Sequence, residues 1–192
     1  MAVLRARPTR DRAGFADRAR LALTLWLCVV TPVLAAPSDL EYAVKATYLY
    51  KFTPFVDWPA TAFAAPNSPF VICVIGDDPF GQVLTQTVSG QQSHGHPIVI
   101  ERATAFTPNM TCQELFAGHA SATGADATFR AAAGQSVLTV SDNPPGADSA
   151  IIHFVVKDGH VRFDIDPAAA QRNGITISSK LLDLAQSYRK AR

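Results

Sequence analysis

The stretch Phe70-Val-Ile-Cys-Val-Ile-Gly-Asp-Asp-Pro-Phe-Gly81 decides how the rest of the chain is read. Six apolar residues without alternation describe a strand buried on both faces, the pattern of a parallel sheet covered by helices. Gly76 turns the chain. Asp78 as an N-cap and Pro79 at the first helical position then predict a helix running to about Thr87. A strand, a glycine turn and a helix invite a nucleotide-site reading, but the spacing is not G-x-G-x-x-G. Asp77 and Asp78 would also place negative charge where a phosphate must sit. The turn reads as structural.

Upstream, Ser38-Asp-Leu-Glu opens with a capping box in which Ser38 and Glu41 satisfy each other's backbone N–H. No breaker follows until Pro54, so a helix of about three to four turns is expected. Tyr42, Ala43, Ala46, Leu49 and Tyr50 fall on one arc at 100° per residue and can face a core. Glu41, Lys45, Tyr48 and Phe52 form a second row, where two aromatics share a face with two charges. One reading covers Tyr48 and Phe52 with the following Phe55, Val56 and Trp58. The other makes Lys45, Tyr48 and Phe52 a partner-binding stripe, with the loop Asn143 to Asp148 as a second candidate surface.

Downstream, Ser93-His-Gly-His-Pro-Ile-Val-Ile enters a second strand. His94 and His96 have the i, i+2 spacing of two ligands on one strand face, but nothing nominates a third. A solvated turn with no metal is the simpler expectation. Cys112 begins another strand, Ser121 to Ala133 is Ala-rich and helical, and Gly134 ends it before the strand Ser136-Val-Leu-Thr-Val. Asp142-Asn-Pro-Pro-Gly is a loop by turn chemistry.

Between Ile151 and Asp166, Asp158-Gly159 predicts a type I′ hairpin pairing Lys157 with His160, Phe154 with Phe163 and His153 with Asp164. Ile152, Phe154, Val156, Val161, Phe163 and Ile165 then share one face. His153, Arg162, Asp164 and Asp166 share the other, where cross-strand charge pairing is expected. Ile175 and Ile177 alternate as a short strand. Ser178 or Ser179 caps a last helix with Leu181, Leu184, Ala185 and Tyr188 on one face, and Arg189, Lys190 and Arg192 at its C-terminal pole.

Residues 1–35 read as a cleaved signal peptide: six arginines, an apolar run from Leu21 to Leu34, and a Val33-x-Ala35 site. The run is too short for a membrane span, which takes about 20 apolar residues. The whole chain has 17 basic and 16 acidic residues. The leader holds six Arg and two Asp, leaving 11 basic and 14 acidic residues and a net charge of −3. No basic patch for nucleic acid or anionic lipid remains. Residues 36–192 suit a single α/β domain: a mostly parallel open sheet flanked by helices, with a C-terminal hairpin and a terminal helix. Without Cys28 in the leader, Cys73 and Cys112 are an even pair in an oxidising compartment and are expected to form one structural disulfide.

Two blocks together carry a family resemblance. Lys45-Ala-Thr-Tyr-Leu-Tyr-Lys-Phe through Trp58-Pro59 and Val74-Ile-Gly-Asp-Asp-Pro-Phe-Gly resemble the N-terminal signature of the YfiR-like periplasmic proteins. Val137-Leu-Thr-Val-Ser-Asp, Val161-Arg-Phe-Asp-Ile-Asp and Ile177-Ser-Ser-Lys-Leu-Leu-Asp-Leu-Ala resemble its C-terminal half. The resemblance implies a periplasmic repressor without catalytic activity or cofactor. It would bind the periplasmic sensor domain of an inner-membrane diguanylate cyclase, restrain cyclic di-GMP synthesis and biofilm formation, and be drawn away by an outer-membrane lipoprotein. A homodimer and a bridge between Cys73 and Cys112 are implied too. The founder's second cysteine pair, in the hairpin region, has no counterpart here.

A second reading is a periplasmic small-ligand-binding protein with its pocket near Gly76–Gly81, at the C-terminal edge of the sheet. An enzyme ranks third, because no nucleophile elbow, Walker loop, zinc motif or Cys-x-x-Cys is present.

Overall fold

In the computed structural model, which describes residues 39–118 and 122–188, helix α1 (Asp39–Phe52) comes first. A 3₁₀ turn (Thr53–Phe55) leads into strand β1 (Val56–Asp57), and a second turn (Ala60–Ala62) precedes β2 (Phe70–Ile75). Then come α2 (Gln82–Val88), β3 (Gln92–Ser93), β4 (His96–Ala103), β5 (Glu114–Ala117), α3 (Ala122–Ala131) and β6 (Leu138–Ser141). The chain continues through β7 (Ile152–Lys157), β8 (His160–Ile165), α4 (Pro167–Arg172), β9 (Thr176–Ile177), α5 (Ser179–Leu184) and β10 (Ser187–Tyr188). All these elements belong to one compact unit, residues 36–192. Ser38 with its capping box, the leader, and Arg189, Lys190 and Arg192 lie outside the described residues.

The main sheet runs β10-β8-β7-β6-β5-β2-β4-β3. Strands β7, β6, β5, β2 and β4 are mutually parallel, and β7–β8 and β3–β4 are antiparallel. This is the mostly parallel open sheet, with C-terminal hairpin and terminal helix, that the sequence predicts. β2 lies inside it with all six residues buried, as a run without alternation demands. β1 pairs instead with β9, antiparallel, joining residues from opposite ends of the described chain.

The sheet's two faces carry separate cores. On one, Ala46, Leu49 and Phe52 of α1 and Leu84 and Val88 of α2 cover Phe70, Ile72, Val74, Phe116, Leu138 and Val140. On the other, Ala125 and Phe129 of α3 cover Val71, Cys73, Leu115 and Val137. The Cys73–Cys112 disulfide forms inside this second core, with a Cα separation of 5.8 Å. Gln113, fully buried, stitches the layers. Its side chain accepts from Val71 N and donates to Ala62 O, and its carbonyl accepts from Leu138 N and Trp58 Nε1.

Two helix boundaries differ from expectation. α2 begins at Gln82, after a turn in which Asp78 Oδ1 accepts from Phe80 N and Gly81 N. Asp78 therefore closes an Asx turn, and Gly81, at φ 51° and ψ −130°, reorients the chain before the helix starts. At the other end, Ser178 accepts from Leu181 N as expected, but α5 stops at Leu184. Ala185 is extended, Gln186 N donates to Phe163 O, and Ser187–Tyr188 join the sheet edge. Edge pairing with β8 outweighs the helical pattern, leaving Leu184 65% exposed.

The hairpin has the predicted register throughout, turning at Asp158 (φ 51°) and Gly159 (φ 72°). β6 reaches only Ile152 and His153, and β10 only Asp164 and Ile165. Phe154–Lys157 and His160–Phe163 thus form a two-stranded arm projecting past the sheet.

Candidate functional site

The inner face of the arm is closed by α1. Tyr48 and Phe52 pack on Phe154 and Phe163, with ring centroids 5.0–6.1 Å apart in stacked, tilted and edge-on arrangements. Phe52 is 1% exposed, and Tyr48 is half-buried. The row of aromatics is therefore covered by the hairpin, far along the chain, rather than by the segment that follows it.

Lys45 in the same row is also buried. Its Nζ lies 2.6 Å from Glu41 Oε1 and 3.3 Å from Asp142 Oδ2, above the Tyr42 ring. Tyr42 donates to the same Asp142 oxygen. Burial, then the Asp142 carboxylate, then Glu41 push the Tyr42 phenol well above its ordinary range. Gly118 makes room for this contact, because a Cβ there would meet Asp142 Oδ1 at 2.9 Å and the Phe116 ring at 2.8 Å. Of the three expected contact residues, Lys45 and Phe52 are corrected to core positions, since a buried ammonium and a sealed ring offer a partner no surface. Tyr48 alone borders solvent.

What the surface does offer is a groove of about 290 Å³ between the start of α1 and the arm, lined by Leu40, Val44, Tyr48, Val156 and Val161 and flanked by Arg162. Leu40 is 74% exposed and Val156 54%, an apolar exposure that solvent alone does not favour. Leu40, Val44 and Tyr48 recur every four residues, so the sequence held a legible signal for this row. Val156 sits on the arm's apolar face, and only the overhang of the arm leaves it uncovered.

On the hairpin's opposite face the expected cross-strand charge pairing does not form among the described residues. His153 Nε2 bonds Asp148 Oδ1 at 2.8 Å across the loop rather than Asp164 across the ladder. Asp148 also accepts from Ser141 Oγ, Asn143 Nδ2 and Ala150 N. Burial opposes its ionisation, yet these four hydrogen bonds together hold its carboxyl below the ordinary range. Asp164 accepts from Ser187, and Asp166 caps α4 by accepting from Ala169 N. The loop Asn143 to Asp148 is anchored at both ends by buried side chains, with Pro144, Pro145 and Gly146 exposed between. Ser141, Asp148 and His153 do not form a nucleophilic triad, because both partners bond the carboxylate and the hydroxyl never reaches the imidazole.

His94-Gly95 makes the two-residue turn between β3 and β4. His94 bonds Thr53 O and meets Trp58 edge-on, while His96 bonds Ser68 O and stacks on Phe63 at 4.0 Å. Among the described residues no three His, Cys, Asp or Glu groups come together to hold a metal. Near Gly76, a hollow of about 180 Å³ is lined by Ile75, Gly76, Ala117 and Gly118. Beside it, Arg102 occupies the turn, bonding Asp78 Oδ2 at 2.6 Å and Gly81 O at 2.7 Å. No helix among the described residues is long and apolar enough to cross a membrane.

A family model described as YfiR/HmsC-like matches residues 42–186, from α1 to the approach to β10. No curated protein matches the chain.

Proposed function

The chain belongs to the YfiR/HmsC-like family, and on that premise we propose that it is an exported repressor of cyclic di-GMP synthesis that binds the periplasmic sensor region of an inner-membrane diguanylate cyclase. Family membership carries this reading. The disulfide supports it, since such bridges persist in oxidising compartments. A signal peptide over residues 1–35 would deliver the chain there. Repression requires only that the protein bind the inactive conformation of the cyclase better than the active one, by as much as the shift it enforces. Release would follow when an outer-membrane lipoprotein competes for the same protein, and a homodimer would present two copies of the binding face.

The groove between α1 and the arm supports this role best, because it exposes Leu40, Val44 and Val156 beside Tyr48. In-cell crosslinking of the tagged protein, with captured partners identified by mass spectrometry, tests the reading. Capture of a membrane protein carrying a diguanylate cyclase domain is the expected outcome. Val44→Asp and Val156→Asp should abolish that capture and raise cellular cyclic di-GMP, with stability changed by no more than about 0.5 kcal/mol. Self-capture alone, with crosslinking shown by a control pair, overturns the reading.

A further inference from the structure

Three consecutive residues of β8, His160, Val161 and Arg162, line the groove between α1 and the arm. Side chains of a strand alternate between its faces, so three in a row meet one groove only where the groove follows the strand's edge. That edge is open. Gln186 N donates to Phe163 O, which shows that the main chain of Phe163 faces outward, and period two gives Val161 the same orientation. β10 pairs with β8 only at Asp164 and Ile165, and no backbone group among the described residues meets Val161 on that side. We propose that the groove takes an extended acidic segment of a protein partner, which pairs with β8 as an added strand in line with β10.

The chain itself shows that this edge accepts a strand, because β10 already occupies its next two positions in parallel. A row of unpaired main-chain groups is a template for a further strand, and main-chain hydrogen bonds then supply affinity while flanking side chains select the guest. On the inner face of the arm, exposed Leu40 and Val44 of α1 and Val156 of β7 stand where every second side chain of the guest would point. Those guest positions are apolar.

The outer face sets the charge of the others. Lys157 and Arg162 are exposed there and make no ion pair among the described residues. Asp164, next along β8 on that face, is held by Ser187 N and Ser187 Oγ. Guest side chains that lie against Lys157 and Arg162 are therefore carboxylates, placed for cross-strand pairing with two cations. The same charges decide against a second copy of this chain. Two arms joined edge to edge would bring Lys157 and Arg162 onto their own counterparts, and like charges across strands repel.

The assignment rests on the partner-binding reading above and names the chemistry of the segment bound. Main-chain pairing reads little sequence, so a fluorescein-labelled peptide of alternating Val and Glu, seven residues long, is a sufficient probe for the purified protein. Saturable binding by anisotropy is expected, together with slowed hydrogen exchange of the Val161 amide. Methylating the amides along one edge of the peptide should weaken binding at least tenfold, and methylating those along its other edge should not. Arg162→Glu should weaken the Val-Glu peptide about fivefold and tighten a Val-Lys peptide, a reversal that misfolding cannot imitate. No binding, indifference to methylation of either edge, equal affinity for the two peptides, or an unprotected Val161 amide would overturn the proposal, as would an arm-to-arm dimer that excludes the peptide. Capture of the cyclase in cells without peptide protection of Val161 removes the added strand alone. Protection of Val161 with no cyclase captured supports the added strand and removes the repressor reading alone.

Discussion

Glu114 opens β5 with both carboxyl oxygens sealed from solvent and without a hydrogen-bond partner among the described residues. Strand alternation puts it beside Phe116, toward the core beneath α1, while Leu115 and Ala117 face the disulfide. Burial pushes its carboxyl well above the ordinary value of 4.5, so the folded protein keeps it protonated. The unfolded chain ionises it from about 4.5 upward. Stability contributed by this group is thus complete below that value and is lost as pH rises toward the folded one. Glu114→Gln preserves the shape and removes the ionisation. Urea unfolding at about pH 5 and about pH 8 should show the variant gaining on the wild type, by up to about 1.4 kcal/mol per pH unit across the window. A constant difference between the two would mean that Glu114 stays charged in the fold. Nothing in the sequence marks this residue, because its burial follows from where β5 falls between β2 and β6.

At the scale of elements, the loop between β6 and β7 depends on Asp148, whose folded carboxyl is held below the ordinary value of 3.8. Its contribution is present above that value and lost as pH falls through the folded one, the opposite sense to Glu114. Asp148→Asn should cost about 2–3 kcal/mol at neutral pH, and this deficit should shrink on acidification, read by thermal melts across the acid limb. The sequence showed the hairpin clearly, since period-two alternation and Asp158-Gly159 fix its register locally. It showed β2 as well, and Ala46 and Leu49 as core-facing residues of α1. It did not show where α2 starts, because Asp78 can cap either a helix or a turn and Gly81 settles the choice. The helical spacing of Leu and Ala persists past Leu184, where an edge of β8 stands ready for pairing, so the pattern alone overstates the last helix. In the candidate contact row, the burial of Lys45 and Phe52 was not legible, because it required Asp142 and two hairpin phenylalanines distant in sequence. The arm needs α1 in turn, since a lone two-stranded ribbon is marginal in water.

For the molecule as a whole, the disulfide closes a loop of 40 residues, Cys73 to Cys112, that contains α2, β3 and β4. Removing it with Cys73→Ala and Cys112→Ala together should cost about 4 kcal/mol by the chain-entropy account. Denaturant unfolding should place the reduced wild type close to the double variant, and an unchanged midpoint would show that the bridge contributes little. The β1–β9 ribbon works on a larger loop. Val56 pairs with Ile177, Asp57 with Thr176, and Ser178 N donates to Phe55 O. The polypeptide is in effect buckled into a ring, with the buckle placed directly after α1. Shortening the chain from its C-terminus before β9 therefore does more than remove α5, because it unfastens the segment that seats α1. The groove at the other end of that helix would slacken with it, although no residue of the groove had been touched.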